Sequence, residues 1–250
     1  MNILFDSMGT QVQVQNETSN HLVTLLNALD AQGTTYSFTD YTQPISQQLD
    51  GVDVLVILTH YPATQPGYTP AIPNETSFDF SETDLTGIPA WVNNGGQLLF
   101  ISNHTFYTGF DAVLAGALGI TIVPAGFEVA QLPFTPLALA VMQVPKPAPR
   151  DWLLPNVYAL LSCGVAPGNG TVLYSFPPNV SDTSGSNYSP ADYAFAVEFS
   201  YSNDGTVIMA ARSGLCGDAG TGYPAPGEVA HGSNLSFILN CINYLGGTIS

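Results

Sequence analysis

Basic side chains are almost missing from this sequence. Lys and Arg together number 3 against 19 Asp and Glu, a formal net charge of −16 over 250 residues. Phosphate contacts need Lys or Arg, so nucleic acid and anionic membrane surfaces are excluded as partners. Charge of either sign is scarce, at 9% of residues, which leaves a surface of Ser, Thr, Asn, Gln, Gly and Tyr. Cytoplasmic proteins solvate themselves mostly with Lys and Glu, so this composition points to an exported or cell-surface protein. No apolar run approaches the roughly 18 residues that span a membrane, and no membrane insertion is expected. Nor is a signal peptide, because Met1 leads straight into the apolar Ile3-Leu4-Phe5.

Cysteine is also sparse. Cys163, Cys216 and Cys241 allow one disulfide and one leftover thiol, and they form no short-spaced pair of the zinc-binding kind. Cys216 falls in the loop after the last core strand. Cys241 lies on the helix that must pack back beside it, so Cys216–Cys241 is the expected bridge.

What the chain has in quantity is apolar sequence, at 45% of residues, enough for a sizeable core. The stretch from Phe80 to Thr105 shows how it is used. Ser81 is an N-cap, Asp84 favours the positive end of the helix, and Phe80 with Leu85 forms a hydrophobic staple. Gly95-Gly96 stops the helix. Leu98-Leu99-Phe100-Ile101 is then a strand buried on both faces, ending in Ser102-Asn103-His104.

Around that unit the order alternates. Strands are expected at 2–6, 34–38, 52–58 and 120–123. Helices are expected at 18–31 and 110–118, with a brief one at 45–50. This predicts a three-layer, doubly wound, mainly parallel α/β sheet in a single domain, 1–250. From Pro124 to Pro190 prolines recur, and the reading there is an insertion of loops and short edge strands such as 171–176. A β-hairpin, 193–201 and 206–210 about Asn203-Asp204-Gly205, then leads through a Gly-rich loop to a last helix from Ser233. That helix carries Leu235, Ile238, Leu239, Ile242 and Leu245.

The first strand ILFD, the strand VDVLVIL, and a Phe-Ser-x-x-Glu helix running into NNGGQLLFIS resemble the class I glutamine amidotransferase-like superfamily. The nearer likeness is to its non-amidotransferase branches, the ThuA-like proteins and the GIFT domain. DGTVIMAARSG followed by GEVAHGSNLSFILNCINYL extends the resemblance to all but 124–190. It implies a flavodoxin-like, glutamine amidotransferase-like scaffold. Amidotransferases of this kind carry a nucleophilic cysteine just after the central strand and a histidine partner near the C-terminus. Here the strand is followed by Ser102-Asn103-His104, so a thiolate mechanism is not expected.

Polar residues nonetheless gather where the strands end, which in open α/β sheets is the ligand edge. Asp6, His60, His104 and Arg212 each follow a core strand, and His231 enters the last helix nearby. These are the candidate catalytic residues, since imidazoles and carboxylates serve as acid/base groups. Asp and His after strands are also common loop-fixing hydrogen-bond partners. Ser7, Asn103, Tyr61, Tyr107 and Tyr223 are candidate ligand-binding residues. His60, His104, Asp218 and Glu228 are the candidate metal ligands, although Asp218 and Glu228 match no calcium-loop spacing. No cofactor is implied. Asn-x-Ser/Thr triplets at Asn16, Asn74, Asn103, Asn169, Asn179 and Asn234 are candidate glycan acceptors. The same triplets arise by chance in a chain rich in Asn, Ser and Thr.

Two functions fit. One is a non-catalytic recognition or assembly module that binds protein or carbohydrate. The other is a hydrolase or carbohydrate-processing enzyme built on the His/Asp/Arg edge. Self-association into a homo-oligomer is compatible with either.

Overall fold

The computed structural model describes residues 1–6, 22–40, 42–58, 80–102, 108–129, 140–159, 162–212, 216, 228–230 and 232–250, the side chains of 108–110 and 228 excepted. The first half alternates strand and helix as its apolar periodicity requires. β1 (Asn2–Phe5), α1 (Val23–Ala31), β2 (Thr35–Phe38), β3 (Val54–Leu58), α2 (Glu82–Asn93), β4 (Gln97–Ile101) and α3 (Thr108–Ala117) follow in order. β3 is buried throughout and β4 at all but its first residue, which is the burial expected of strands covered on both faces. The predicted cap of α2 is present. Ser81 Oγ accepts from the Asp84 amide at 3.1 Å and donates to Asp84 Oδ2 at 2.6 Å. Asp84 Oδ1 also accepts from the Ser46 amide at 2.8 Å, which ties the helix start to the segment before β3. The brief helix expected at 45–50 is a single 3₁₀ turn, Ile45–Gln48.

β5 (Ile122–Val129) is longer than expected because the chain runs extended through Pro124. Proline cannot donate to the ladder, and the register with the neighbouring strand shifts between Val123 and Phe127. β6 (Ala140–Val141) and β7 (Tyr158–Ala159) pair with each other in a separate ribbon. β8 (Ser162–Val165), β9 (Thr171–Ser175) and β10 (Val180–Asp182) follow, then the hairpin β11 (Ala194–Ser200) and β12 (Thr206–Ala210), and finally α4 (Asn234–Leu245). The expected face of α4 is shifted. Its fully buried residues are Asn234, Phe237, Ile238, Cys241, Ile242 and Leu245, with Leu235 and Leu239 at the margin.

The main sheet runs β10-β5-β8-β11-β12-β4-β3-β1-β2, with β9 also paired to β11. The pairs among β2, β1, β3, β4 and β12 are parallel, and those from β12 onward to β10 are antiparallel. α1 packs with α4 and α2 with α3, giving a three-layer α/β arrangement. The Pro-rich stretch therefore does more than the expected loops and edge strands: β8 lies inside the sheet, between β5 and β11. Pro124 lies inside β5, where the register shifts, but the other prolines of the stretch among the described residues fall between the strands. Pro167 lies between β8 and β9, and Pro177-Pro178 between β9 and β10.

Candidate functional site

The parallel strands β1, β3, β4 and β12 end on one edge, and β4 and β12 are adjacent there. Ser102 follows β4. Its amide donates to Ala210 O at 2.8 Å, so the ladder with β12 continues one residue past the strand. This fixes the side chain, whose hydroxyl donates to Asp111 Oδ2 at 2.6 Å. Asp111 lies in the first turn of α3, where the helix dipole favours a carboxylate. Both residues are 0% exposed.

A third group joins them from β8. The Cys163 sulfur lies 3.5 Å from Ala211 O and beside the Ser102 hydroxyl. Burial pushes this thiol up to about 12, opposed by the Ser102 hydroxyl and by the positive charge of Arg212 and aided by Asp111. Arg212, two residues beyond β12, is itself buried. The edge thus holds a hydroxyl, a carboxylate, a thiol and a guanidinium packed below the surface.

Of the residues expected at this edge, Arg212 belongs to the cluster and Asp6 shares only the edge. Asp6 is buried after β1, its amide bonded to Val56 O at 2.9 Å. β3 stands between β1 and β4, which puts Asp6 two strand spacings, roughly 10 Å, from Ser102. His60, His104 and His231 lie outside the described residues, as do Ser7, Asn103, Tyr61, Tyr107, Tyr223, Asp218 and the side chain of Glu228. Among the described residues no three His, Cys, Asp or Glu side chains are grouped so as to hold a metal ion. Asp111 and Cys163 were missed by sequence reasoning. Asp111 had a usable signal, a lone charge in the apolar run from Phe110 to Leu118. Cys163 had none, because only the topology carries β8 to this edge.

Two expectations need correction. The Cys216–Cys241 bridge is not formed: all three cysteines are free and buried. Cys216 and Cys241 are near enough to interact, and burial first, then the neighbouring Cys216, pushes the Cys241 thiol well up. Neutral thiols are the favoured state in such surroundings. Asn234 is not an available glycan acceptor either. It is 0% exposed; its Oδ1 accepts from the Tyr158 amide at 2.7 Å and its Nδ2 donates to Tyr158 O at 2.9 Å. Asn169 and Asn179 lie exposed between strands. Asn16, Asn74 and Asn103 are outside the described residues.

No family model matches the sequence, and comparison with curated proteins finds no match. Solved structures do match. The mmIFT52 N-terminal domain is similar at a TM-score of 0.65 and 14% identity, over 98% of this chain and 97% of that one. A ThuA-like protein from Bacteroides uniformis has a TM-score of 0.52 at 13% identity, over 98% of this chain and 90% of that one. Another from Parabacteroides merdae has a TM-score of 0.52 at 11% identity, over 100% and 91%. The fold is thus one shared with the mmIFT52 N-terminal domain and with ThuA-like proteins.

Proposed function

We propose that the chain is a non-catalytic recognition or assembly module, exported or displayed at a cell surface, that binds a protein or a carbohydrate. One observation carries this reading. Just after the central strand, where the resemblance puts a covalent enzyme's nucleophile, the sequence reads Ser102-Asn103-His104, and Ser102, the one of these among the described residues, is 0% exposed with its hydroxyl given to Asp111 at 2.6 Å. A nucleophile must meet its substrate and face a base that can take its proton. Here the hydroxyl is a structural tie between β4 and α3. The nearby thiol offers no substitute. Burial holds the Cys163 thiol well above its ordinary range, so it stays neutral at pH 7.

A surface poor in charge suits hydrogen bonding to a neutral polyol or a neutral protein face. The exported assignment rests on that composition and on the exposed triplets at Asn169 and Asn179; the free cysteines lend it no support. Fold likeness supplies the scaffold and leaves the function open.

Active-site labelling tests the reading. Native protein treated with a fluorophosphonate and with iodoacetamide should leave Ser102 and Cys163 unmodified. Titration with neutral oligosaccharides or a purified partner should give saturable heat without turnover. Stoichiometric labelling of Ser102, or ester or amide hydrolysis abolished in S102A, would replace the module with the hydrolase. Stoichiometric zinc lost on mutating His60 or His104 would do the same.

A further inference from the structure

Four steps of the chain join Asn or Asp to Gly: Asp50-Gly51, Asn94-Gly95, Asn169-Gly170 and Asp204-Gly205. Such a dipeptide can cyclise without a catalyst, because glycine puts no side chain in the way of its own amide. At three of the four the fold opposes that chemistry. The Gly95 amide donates to Val92 O at 3.0 Å, that of Gly170 to Pro167 O at 2.7 Å and that of Gly205 to Ser202 O at 3.1 Å. These glycines are also hemmed in. A Cβ added at Gly95 would press on Asn203 O, one at Gly170 on the Val197 side chain, and one at Gly205 on Val92 O.

Gly51 differs on both counts. It lies in a turn between the 3₁₀ turn Ile45–Gln48 and β3, closed by the Val52 amide on Leu49 O at 3.3 Å. Its own amide has no hydrogen-bond partner among the described residues. A Cβ added there would meet nothing within 4 Å, which leaves room for a ring to close. Asp50 and Gly51 are both exposed.

We propose that Asp50-Gly51 is a site of spontaneous isoaspartate formation. The Gly51 nitrogen attacks Cγ of the Asp50 side chain in its neutral carboxyl form. A C–N bond forms, the bond from Cγ to the hydroxyl oxygen breaks, and that hydroxyl leaves as water with the amide proton. Water then opens the succinimide at either carbonyl. Opening at the main-chain carbonyl leaves the backbone running through Cβ and Cγ, one methylene longer, with a free α-carboxylate. The water lost in the first step returns in the second, so the turn needs only solvent. Gly51 O accepts from Asn2 Nδ2 at 3.2 Å, and the longer backbone loosens this tie to the start of β1. The Ser102 edge lies at the other end of the strands and is untouched.

Peptide mapping with electron-transfer fragmentation tests this on protein held for weeks at pH 7. Isoaspartate should accumulate at residue 50 and stay absent at Asn94, Asn169 and Asp204. D50N makes the chemistry equal at three sites. Its native form should deamidate at residue 50 roughly tenfold faster than at Asn94 or Asn169, about what one intact hydrogen bond at the following glycine withholds. In urea the three rates should converge. D50E, whose longer side chain closes no succinimide, should form no isomer at that position. Native D50N rates at Asn94 or Asn169 equal to that at residue 50 would show that the fold exerts no selection. Isoaspartate at residue 50 in unfolded but not in native wild-type protein would remove the site.

Discussion

Arg150 reaches out of the Pro-rich segment and donates from Nη2 to Glu198 Oε1, in the middle of β11, at 2.5 Å. Glu198 is 3% exposed, whereas the arginine side chain keeps 32% of its surface. Tyr244 of α4 closes the triangle. Its hydroxyl donates to the same Glu198 oxygen at 3.0 Å and accepts from Arg150 Nε at 3.1 Å, and the guanidinium stacks 5.3 Å from its ring. Three distant segments therefore share one buried carboxylate.

Replacing Arg150 with Met should strand that carboxylate beside one hydroxyl. Breaking a buried pair from one side costs several kcal/mol, and the partial exposure of Arg150 lowers the expected loss to about 2–3 kcal/mol. Urea unfolding measures it. R150M combined with E198Q should recover part of the loss, because no unpaired charge remains buried. A double variant no better than R150M would mean that the arginine acts through packing.

Asn234 should behave as a structural residue. N234A removes both bonds to Tyr158 and leaves a buried amide and carbonyl unpaired, for an expected loss of about 2–4 kcal/mol. N234D keeps the acceptor and loses the donor, and should fall between. In a glycosylating secretory host, peptide mapping of folded protein should find Asn234 unmodified, with any glycan of the β8–β10 region on exposed sites such as Asn169 and Asn179.

Asp182 should impose an acid limit on the loop after β10. Burial pushes its carboxyl up, but four donations outweigh that and hold it below its ordinary value: the Gly126 amide, the Ser184 amide and hydroxyl, and the Tyr188 amide. A folded-state pKa below the unfolded one gives stability that is complete above about pH 4 and is lost as pH falls through the folded value. D182N should lower stability at pH 7 and flatten this acid dependence. Thermal unfolding of both proteins between pH 2 and pH 7 would show it, and parallel curves would count against the assignment.

The cysteines should be silent until the protein unfolds. Ellman's reagent should find little reactive thiol in the native state and three equivalents in denaturant, since all three are free and buried. A Cys216–Cys241 bridge in unreduced peptides would contradict the structure.

Much of this was legible without coordinates. The buried runs of β3 and β4, the Ser81 cap, the Gly95-Gly96 stop and the Asn203-Asp204-Gly205 turn follow from local propensity and period, which neighbouring residues decide among themselves. β5 and β8 were misread for a related reason. Proline density forecasts where ladders break, but it does not reveal that β5 would run on through Pro124 with only a register shift, or that the prolines flanking β8–β10 would fall between strands. The site was legible only as an edge. Arg212 could be placed after its strand, whereas Cys163 could not be brought from β8 to Ser102 without knowing that β8 enters the sheet.

The sequence by itself determined the layers, the parallel half of the sheet, and the edge at which its strands end. These depend on contacts that repeat every two or 3.6 residues. Tertiary structure alone decided which polar groups meet: Ser102 with Asp111 and Cys163, Arg150 with Glu198 and Tyr244, Asn234 with Tyr158. All but Ser102 with Asp111, nine residues on, join segments far apart in the chain, and burial favours each pairing, since an unpaired polar group in the core costs more than the bond returns. Local pattern signals that a group will be buried, and only the closed fold supplies its partner.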